Sequence, residues 1–173
     1  MNGTNQPNRP GGKILVAYFS HSGNTREVAR QIQAQVGGDL FEIVSVEPYP
    51  KNYNAVVEQA RKELEADHRP KLKARLENAS SYDVVFIGFP NWWNTFPTPV
   101  GTFLRENDFS GKTLMTFCTH EGSGLGRSVS DVAKACPGSK VLPGLAVRGG
   151  SVKKAGEAVA KWIGELLKDK VQN

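Results

Sequence analysis

Short blocks of consecutive apolar residues recur along the chain, and longer segments with a helical repeat lie between them. Three of these blocks are apolar almost throughout, as expected for strands covered on both faces. They span residues 14–19, 84–89 and 113–118. Residues 40–46 form a shorter block that carries charge, so we expect an edge strand there. Pro143-Gly144 interrupts the last block, residues 141–147, which suits an edge strand or a bulge.

The segments between the blocks have apolar residues every three or four positions, which predicts amphipathic helices. In the first segment Val28, Ile32 and Val36 lie on one face, and Gly37-Gly38 ends the helix. The last segment has an apolar stripe over residues 155–167, with lysines on the other face. The remaining predicted helices span residues 53–67, 98–106 and 127–135, and the first spans 24–36.

The alternation of five strands with helices predicts an α/β domain. We expect a doubly wound, five-stranded parallel sheet with helices on both faces, which gives three layers. This single domain is expected to span residues 13–173. Residues 1–12 have no apolar side chain after Met1 and are rich in Asn, Gly and Pro, which predicts a flexible leader. The leader lacks the hydrophobic region of a signal peptide, so a cytoplasmic location is expected. An exported protein whose signal has been removed would look the same and is the alternative.

Composition and charge exclude several classes of protein. The chain has 173 residues, of which 39% are hydrophobic and 23% charged, as in an ordinary soluble globular domain. No apolar run approaches the ~20 residues of a membrane span, and two cysteines are too few for a disulfide framework. The net charge of +5 is compatible with an anionic ligand but is too small to indicate a nucleic-acid partner.

The loop between the first strand and the first helix has the features of a phosphate site. It offers hydroxyl groups, an amide side chain and a glycine at a helix N-terminus, where unpaired N–H groups and the helix dipole favour an anion. It reads Ser20-His21-Ser22-Gly23-Asn24-Thr25. The Gly-Lys-Ser/Thr of a P-loop is missing, so a nucleoside triphosphate is not expected. A Ser- and Asn-rich helix cap without a ligand is the alternative interpretation.

Two further loops follow the third and fourth strands, and ligands of open α/β sheets bind beyond the carboxyl ends of such strands. One begins Pro90-Asn91-Trp92-Trp93-Asn94-Thr95, and the other begins Thr119-His120-Glu121-Gly122-Ser123-Gly124. Large aromatic side chains in an exposed loop are explained by a flat ligand stacked on an indole, although one of the two tryptophans is expected to plug the core. The glycines of the second loop bring its backbone amides close to such a ring.

These three loops together resemble those of flavodoxins. More narrowly, Tyr49-Pro50-x-x-Tyr53, the segment from Gly88 to Trp93 and the segment from His120 to Gly124 resemble a short flavodoxin-like subfamily that binds FMN. The resemblance covers residue 13 to about residue 168. It implies the strand order 2-1-3-4-5, with the ligand at the point where the order reverses.

The resemblance also implies where FMN is held. Its phosphate would lie on Ser20, Ser22, Gly23, Asn24 and Thr25, with His21 at the variable position of the loop. The isoalloxazine ring would lie between residues 90–95 and 119–124, with Trp92 or Trp93 against it. Many flavodoxins are strongly acidic, and the basic balance of this chain departs from that pattern.

Two functions remain open at this point. The first is an electron carrier that docks to redox partner proteins, a reductase and an acceptor, as a monomer or weak dimer. The second is an NAD(P)H-dependent FMN oxidoreductase acting on quinones or similar acceptors. The lack of a second nucleotide motif favours the carrier, whereas the basic balance and the aromatic loop keep the enzyme open. No catalytic residue and no metal site are predicted, and Cys118 is expected in the core.

Overall fold

The structure of the chain is a computed structural model that describes residues 10–171, with side chains as far as residue 168. Residues 1–9, most of the predicted leader, lie outside the described residues. The strands form one parallel sheet in the order β2-β1-β3-β4-β5, which confirms the order implied by the resemblance. They are β1 Ile14–Tyr18, β2 Asp39–Glu42, β3 Val84–Pro90, β4 Thr113–His120 and β5 Lys140–Arg148.

Helices cover both faces of this sheet, which confirms the three layers. They are α1 Asn24–Val36, α2 Tyr53–Glu65, α3 Thr98–Glu106, α4 Ser128–Ala135 and α5 Gly156–Val171, with 3₁₀ turns at Ala79–Ser81 and Gly149–Lys154. On one face α1 and α5 bury Ile32 and Ile163 against Phe86 of the central strand. On the other, α3 packs Phe103 beside Ile87. Both cores consist of side chains that alternate along the strands, as the pleat requires.

The sequence located the strands well but misjudged several ends. β2 ends at Glu42 instead of residue 46, because the chain leaves the sheet and Ser45 pairs with Leu72 in an isolated antiparallel bridge. β3 and β4 extend beyond the predicted ends, since their register continues to the pair Pro90 and Thr119. These extra residues carry the two strands directly into the loops that were predicted to bind a ligand.

The two outer strands have the irregularities that the sequence indicated. Three of the four residues of β2 are exposed. In β5 the register against β4 shifts between Met115 and Phe117, opposite the segment that contains Pro143-Gly144. Among residues 10–171, no helix is long and apolar enough to cross a membrane.

Candidate functional site

A cleft of about 880 Å³ lies beyond the carboxyl ends of the central strands. The loops after β1, β3 and β4 form three of its sides, and the start of α2 forms the fourth. Its lining residues are His21, Ser22, Asn24, Lys51, Tyr53, Val56, Val57, Ala60, Pro90, Asn91, Trp92, Trp93, Asn94, Thr119, His120, Glu121, Gly122 and Ser123. The position is the one expected for ligands of open parallel sheets.

The loop after β1 is shaped to receive an anion. Gly23 has a φ of 98°, a left-handed conformation that turns the chain into α1. The backbone amides of Gly23 and Arg26 both donate to the Ser20 hydroxyl oxygen, at 3.1 and 3.3 Å. The amide of Asn24 donates to the Ser22 hydroxyl oxygen at 3.4 Å. These serine bonds hold the loop in shape at the N-terminus of α1, where the positive end of the helix dipole favours an anion.

Five residues predicted for the ligand site are not in the lining of the cleft. These are Ser20, Gly23, Thr25, Thr95 and Gly124. Thr25 is only 1% exposed, and its hydroxyl shares a 2.9 Å hydrogen bond with that of Thr119. That bond ties α1 to the end of β4. Thr25 therefore fixes the position of the loop from behind, and Ser22 and Asn24 are the side chains of this loop that reach the cleft with His21.

The loop after β3 is a tight turn of unusual backbone conformation. Trp93 and Asn94 have φ values of 57° and 66°. Trp92 and Thr95 exchange backbone hydrogen bonds of 3.1 and 3.3 Å across the turn. Two successive positive φ values define a type I′ turn, which normally carries Asn or Gly. A tryptophan in this conformation is strained, and such strain persists where the surrounding structure fixes it.

The two tryptophans have different surroundings. Trp92 is half-buried, with its ring edge-to-face against Phe19 at 5.4 Å, Tyr49 at 5.1 Å and His21 at 5.7 Å between centroids. Trp93 is 46% exposed, and its indole N–H donates to the backbone carbonyl of Val57 in α2 at 3.0 Å. Trp92 thus forms the floor of the cleft and packs on the core, as expected for one of the pair, whereas Trp93 forms its rim.

Hydrogen bonds join the loop after β3 to the loop after β4. The Asn91 side-chain amide donates to the carbonyl of Gly124 at 2.6 Å, and the amide of Arg127 donates to the carbonyl of Asn94 at 2.8 Å. Gly126, with a φ of 56°, lies so close to Asn94 that an added Cβ would be 2.6 Å from its carbonyl oxygen. The two loops therefore form one unit at the end of the cleft, which Trp93 joins to α2.

The polar groups of the cleft are held by specific partners. His21 donates from Nε2 to the carbonyl of Pro50 at 2.9 Å, which joins the first loop to the segment before α2. His120 accepts the amide of Gly122 at Nδ1, at 2.9 Å, so Nε2 is its free donor. The Arg148 guanidinium donates to the carbonyl of Glu121 at 3.4 Å. A Cβ on Gly149 would overlap the Glu121 carboxylate, so this glycine makes room for it.

The contribution of α2 was missed by the sequence reasoning. Lys51, Tyr53, Val56, Val57 and Ala60 line the cleft although none lies in the three loops. The repeat of Val56 and Ala60 indicates only a buried helix face. The one signal was the motif Tyr49-Pro50-x-x-Tyr53, which places an aromatic residue at the first position of this helix.

Burial keeps two titratable side chains near the cleft in their neutral forms. Cys118 is buried, and burial raises the pKa of its thiol to about 12, so the reactive thiolate is suppressed. Burial also raises the pKa of Tyr49 well above its usual range, and its hydroxyl donates to Glu63 at 2.7 Å. Within residues 10–171, no group of three or more His, Cys, Asp or Glu side chains is placed to hold a metal ion.

Comparison with known sequences gives one family. The family model described as Flavodoxin matches residues 13–166. The flavodoxin of Haemophilus influenzae is 28% identical over 109 residues, which are 58% of this chain and 45% of that protein. Flavodoxin 1 of Escherichia coli K12 is 25% identical over 111 residues, covering 59% of this chain and 46% of its own length. The matched region thus spans about half the length of these curated relatives.

Solved structures match over most of the chain. A candidate flavoprotein from Bacteroides uniformis is 32% identical with a TM-score of 0.78, and the match covers 89% of this chain and 99% of that one. A flavoprotein from Lactobacillus acidophilus, whose crystal structure is a complex with FMN, is 25% identical with a TM-score of 0.70. That match covers 83% of this chain and 98% of the other.

Proposed function

The chain belongs to the flavodoxin family, and from this premise we propose that it binds FMN in the cleft and carries electrons through it. The observation that carries the proposal is the joint presence of an anion cradle and an aromatic floor in one cleft. The cradle is formed by the N-terminus of α1 with the side chains of Ser22 and Asn24, and the floor by Trp92. FMN combines a phosphate group with a flat ring system, and the FMN complex of the related Lactobacillus acidophilus protein supports the choice.

The residues of this chain fit such a ligand in type and charge. The phosphate would be held at the N-terminus of α1 by the side chains of Ser22 and Asn24. The ring would lie over Trp92, between the turn after β3 and the loop after β4. Backbone amides of the loop after β4 and the Nε2 donor of His120 are available to polar atoms of the flavin ring. The buried Thr25 would position the phosphate loop from behind through its hydroxyl bond to Thr119.

Bound FMN would supply one- and two-electron transfer, which the side chains of the protein cannot perform. The chain's own residues would bind it, orient the ring against Trp92 and keep water from that side of it. We infer an electron carrier serving a reductase and an acceptor protein. The match of the Flavodoxin family model to residues 13–166 supports this choice.

The test is to prepare the protein free of flavin and titrate it with FMN, following flavin fluorescence and visible absorbance. We expect one equivalent to bind, with strong quenching of both tryptophan and flavin fluorescence. Riboflavin, which lacks the phosphate, should bind at least tenfold more weakly, since each hydrogen bond to a charged group contributes about 1.5–3 kcal/mol. Failure of FMN to bind at micromolar concentrations would refute the proposal.

A second measurement separates the carrier from an enzyme that uses NAD(P)H directly. The FMN-loaded protein is mixed anaerobically with NADPH alone and then with an NADPH-dependent flavodoxin reductase. A carrier loses its flavin absorbance only after the reductase is added. Rapid bleaching by NADPH alone would instead assign the chain to the oxidoreductases.

A further inference from the structure

Two side chains that connect to the floor of the cleft have no role in the flavin site proposed above. Tyr49 packs its ring edge-to-face against Trp92, at 5.1 Å between centroids and an interplanar angle of 73°. The Tyr49 hydroxyl donates to the Glu63 carboxylate of α2 at 2.7 Å. Neither Tyr49 nor Glu63 lines the cleft. A continuous path of contacts therefore runs from the floor of the cleft through Tyr49 to Glu63.

The Tyr49 ring lies in an aromatic environment. Phe19 is 5% exposed and contacts both rings edge-to-face, with its centroid 5.7 Å from that of Tyr49 and 5.4 Å from that of Trp92. Tyr49 is half-buried, and burial holds the pKa of its hydroxyl well above the usual range. The phenol is therefore neutral, and its proton lies on the hydrogen bond to Glu63.

The Glu63 side chain is placed to accept that proton. One of its oxygens accepts from Tyr49 and from the Thr98 hydroxyl at 3.1 Å, and the other accepts from the Gln59 side-chain amide at 3.3 Å. Donors directed at both oxygens indicate an ionised carboxylate, since a protonated one would itself donate. Among the residues that the structure describes, Glu63 forms no ion pair with lysine or arginine. It is a base whose hydrogen-bond partners are neutral.

The chemistry of these three side chains suits the transfer of one electron together with one proton. Indole and phenol are the aromatic groups of proteins that lose a single electron. Loss of an electron makes the phenolic proton strongly acidic, so a tyrosine is oxidised readily only where a base accepts that proton. The 2.7 Å bond to Glu63 lies within the ~2.6–3.2 Å over which a side chain takes a proton directly. Trp92 supplies the electron path, and Glu63 supplies the base.

We propose that Trp92, Tyr49 and Glu63 form a relay that moves a single oxidising equivalent out of the cleft and holds it on Tyr49. Trp92 loses one electron to a one-electron oxidant in the cleft. Tyr49 returns one electron to Trp92, and its phenolic proton passes to Glu63. The products are the oxidant reduced by one electron, an unchanged Trp92, a neutral tyrosyl radical and a protonated Glu63. The relay protects the floor of the cleft from oxidation.

The oxidant is the part of this inference that rests on the proposed function. A photoexcited flavin is a one-electron oxidant, and FMN bound in the cleft would place it beside Trp92. The relay itself depends only on the three side chains and goes beyond electron carriage, because it operates within the chain and needs no partner protein.

A second tyrosine provides a matched control. Tyr82 is 6% exposed, and its hydroxyl donates to the Asp39 carboxylate at 2.7 Å, the distance found in the Tyr49 pair. The Lys13 ammonium lies over its ring, 4.7 Å from the centroid. Within the described residues, no aromatic pair joins Tyr82 to a tryptophan. Tyr82 therefore has a proton acceptor without an electron path.

The test excites the FMN-loaded protein with a laser flash and follows the transient absorbance of the tyrosyl radical. We expect the radical in the unaltered protein and in Tyr82→Phe, and its loss in Tyr49→Phe and Trp92→Phe. Glu63→Gln keeps the shape of the side chain but cannot take the proton, so the radical should stay on Trp92. Tyr49→Phe and Glu63→Gln should leave the affinity for FMN within about twofold, because neither side chain lines the cleft.

A second arm tests the relay without flavin. A soluble ruthenium(III) polypyridyl complex, generated by a flash, replaces the flavin as oxidant, and the tyrosyl radical is measured by electron paramagnetic resonance. Tyr53 is 79% exposed, so a soluble oxidant reaches it directly, and every variant of this arm therefore also carries Tyr53→Phe. Tyr49→Phe should lose radical signal that Tyr82→Phe retains.

The outcomes separate the two proposals. If FMN does not bind, the carrier function is wrong, and the ruthenium arm alone decides the relay. If FMN binds but no tyrosyl radical forms, or the radical persists in Tyr49→Phe, the relay is wrong and the carrier function stands. If Glu63→Gln forms the tyrosyl radical in the same yield as the unaltered protein, Glu63 does not take the proton and our assignment is overturned.

Discussion

The two ends of the cleft are built in different ways. The phosphate loop is assembled from near neighbours in sequence, since the Ser20 hydroxyl accepts amides three and six positions further along the chain. The opposite end joins segments that are far apart. Asn91 bonds to Gly124 across 33 positions, and Trp93 bonds to Val57 across 36. The bonds within the phosphate loop are local, although the Thr25–Thr119 bond anchors the loop to β4, whereas the other end depends throughout on the packing of β3, β4 and α2.

This difference has a consequence for how each end responds to mutation. A local loop keeps its geometry as long as α1 begins at Asn24, so a substitution there should alter ligand contacts with little effect on stability. The other end is a network of tertiary contacts, and losing one contact releases its neighbours. We therefore expect large changes in stability at the ring end and selective changes in phosphate recognition at the loop end.

The largest expected effect is at Gly126. Gly126→Ala adds a Cβ against the Asn94 backbone at a residue with a φ of 56°, and should lower the free energy of unfolding by about 3 kcal/mol. Gly124→Ala is the matched control, because its φ of 64° is similar but its added Cβ meets no atom within 4 Å. That variant should lose only about 1 kcal/mol. Urea denaturation measures both, and equal losses would mean that the contact with Asn94 does not matter.

An intermediate effect separates the two tryptophans. Trp92→Ala removes edge-to-face contacts with three aromatic rings and should cost about 2–3 kcal/mol of stability. Trp93→Ala removes one hydrogen bond at an exposed position and should cost less than ~1 kcal/mol. Thermal unfolding of the flavin-free proteins gives the comparison. If Trp93→Ala lost more stability than Trp92→Ala, then Trp92 would not be the tryptophan that packs on the core and forms the floor of the cleft.

The smallest effect on stability, and the most selective one, is expected in the phosphate loop. Ser22→Ala should weaken FMN binding by about 1.5 kcal/mol and leave riboflavin binding unchanged, with no measurable loss of stability. Thr25→Val is the contrast, because the buried Thr25 hydroxyl bonds to Thr119 and not to the cleft. It should lower stability by about 1 kcal/mol and affect both ligands alike. Isothermal titration with each flavin distinguishes these patterns; equal loss of both flavins in Ser22→Ala would contradict the phosphate assignment.

Much of the fold could be predicted because the signals are local. The block that became β3 is apolar throughout, and only a strand buried on both faces explains six such residues in a row. The apolar stripe over residues 155–167 predicts the helix α5 just as directly. The end of β2 was misjudged because the pairing of Ser45 with Leu72 joins residues distant in sequence, and no repeat in residues 40–46 reveals it. The strand order could not be read from any of these patterns and came from the resemblance.

The candidate site divides in the same manner. Residues 20–25 are mostly hydroxyl and amide residues, and they lie at the start of a helix. Both features indicate a phosphate site, so the phosphate loop could be predicted. The roles within it were not, because the burial of Thr25 depends on Thr119 in another strand. The part of the cleft lining that α2 contributes escaped prediction for the same reason, because Val56 and Ala60 have the spacing of ordinary core residues and only the folded chain places Trp93 beside this helix. Whether each predicted residue touches the flavin stays a prediction.

The two outer strands of the sheet affect how copies of this chain behave toward one another. An uncovered strand edge is a template on which a strand of another molecule can pair, which leads to aggregation. β2 has only four residues and carries Asp39 and Glu42 on that edge. β5 contains Pro143, which has no N–H to donate and whose carbonyl accepts the indole N–H of Trp162 at 2.9 Å. Both edge strands are therefore poor templates for a strand of another molecule. We expect little intermolecular strand pairing even at high protein concentration.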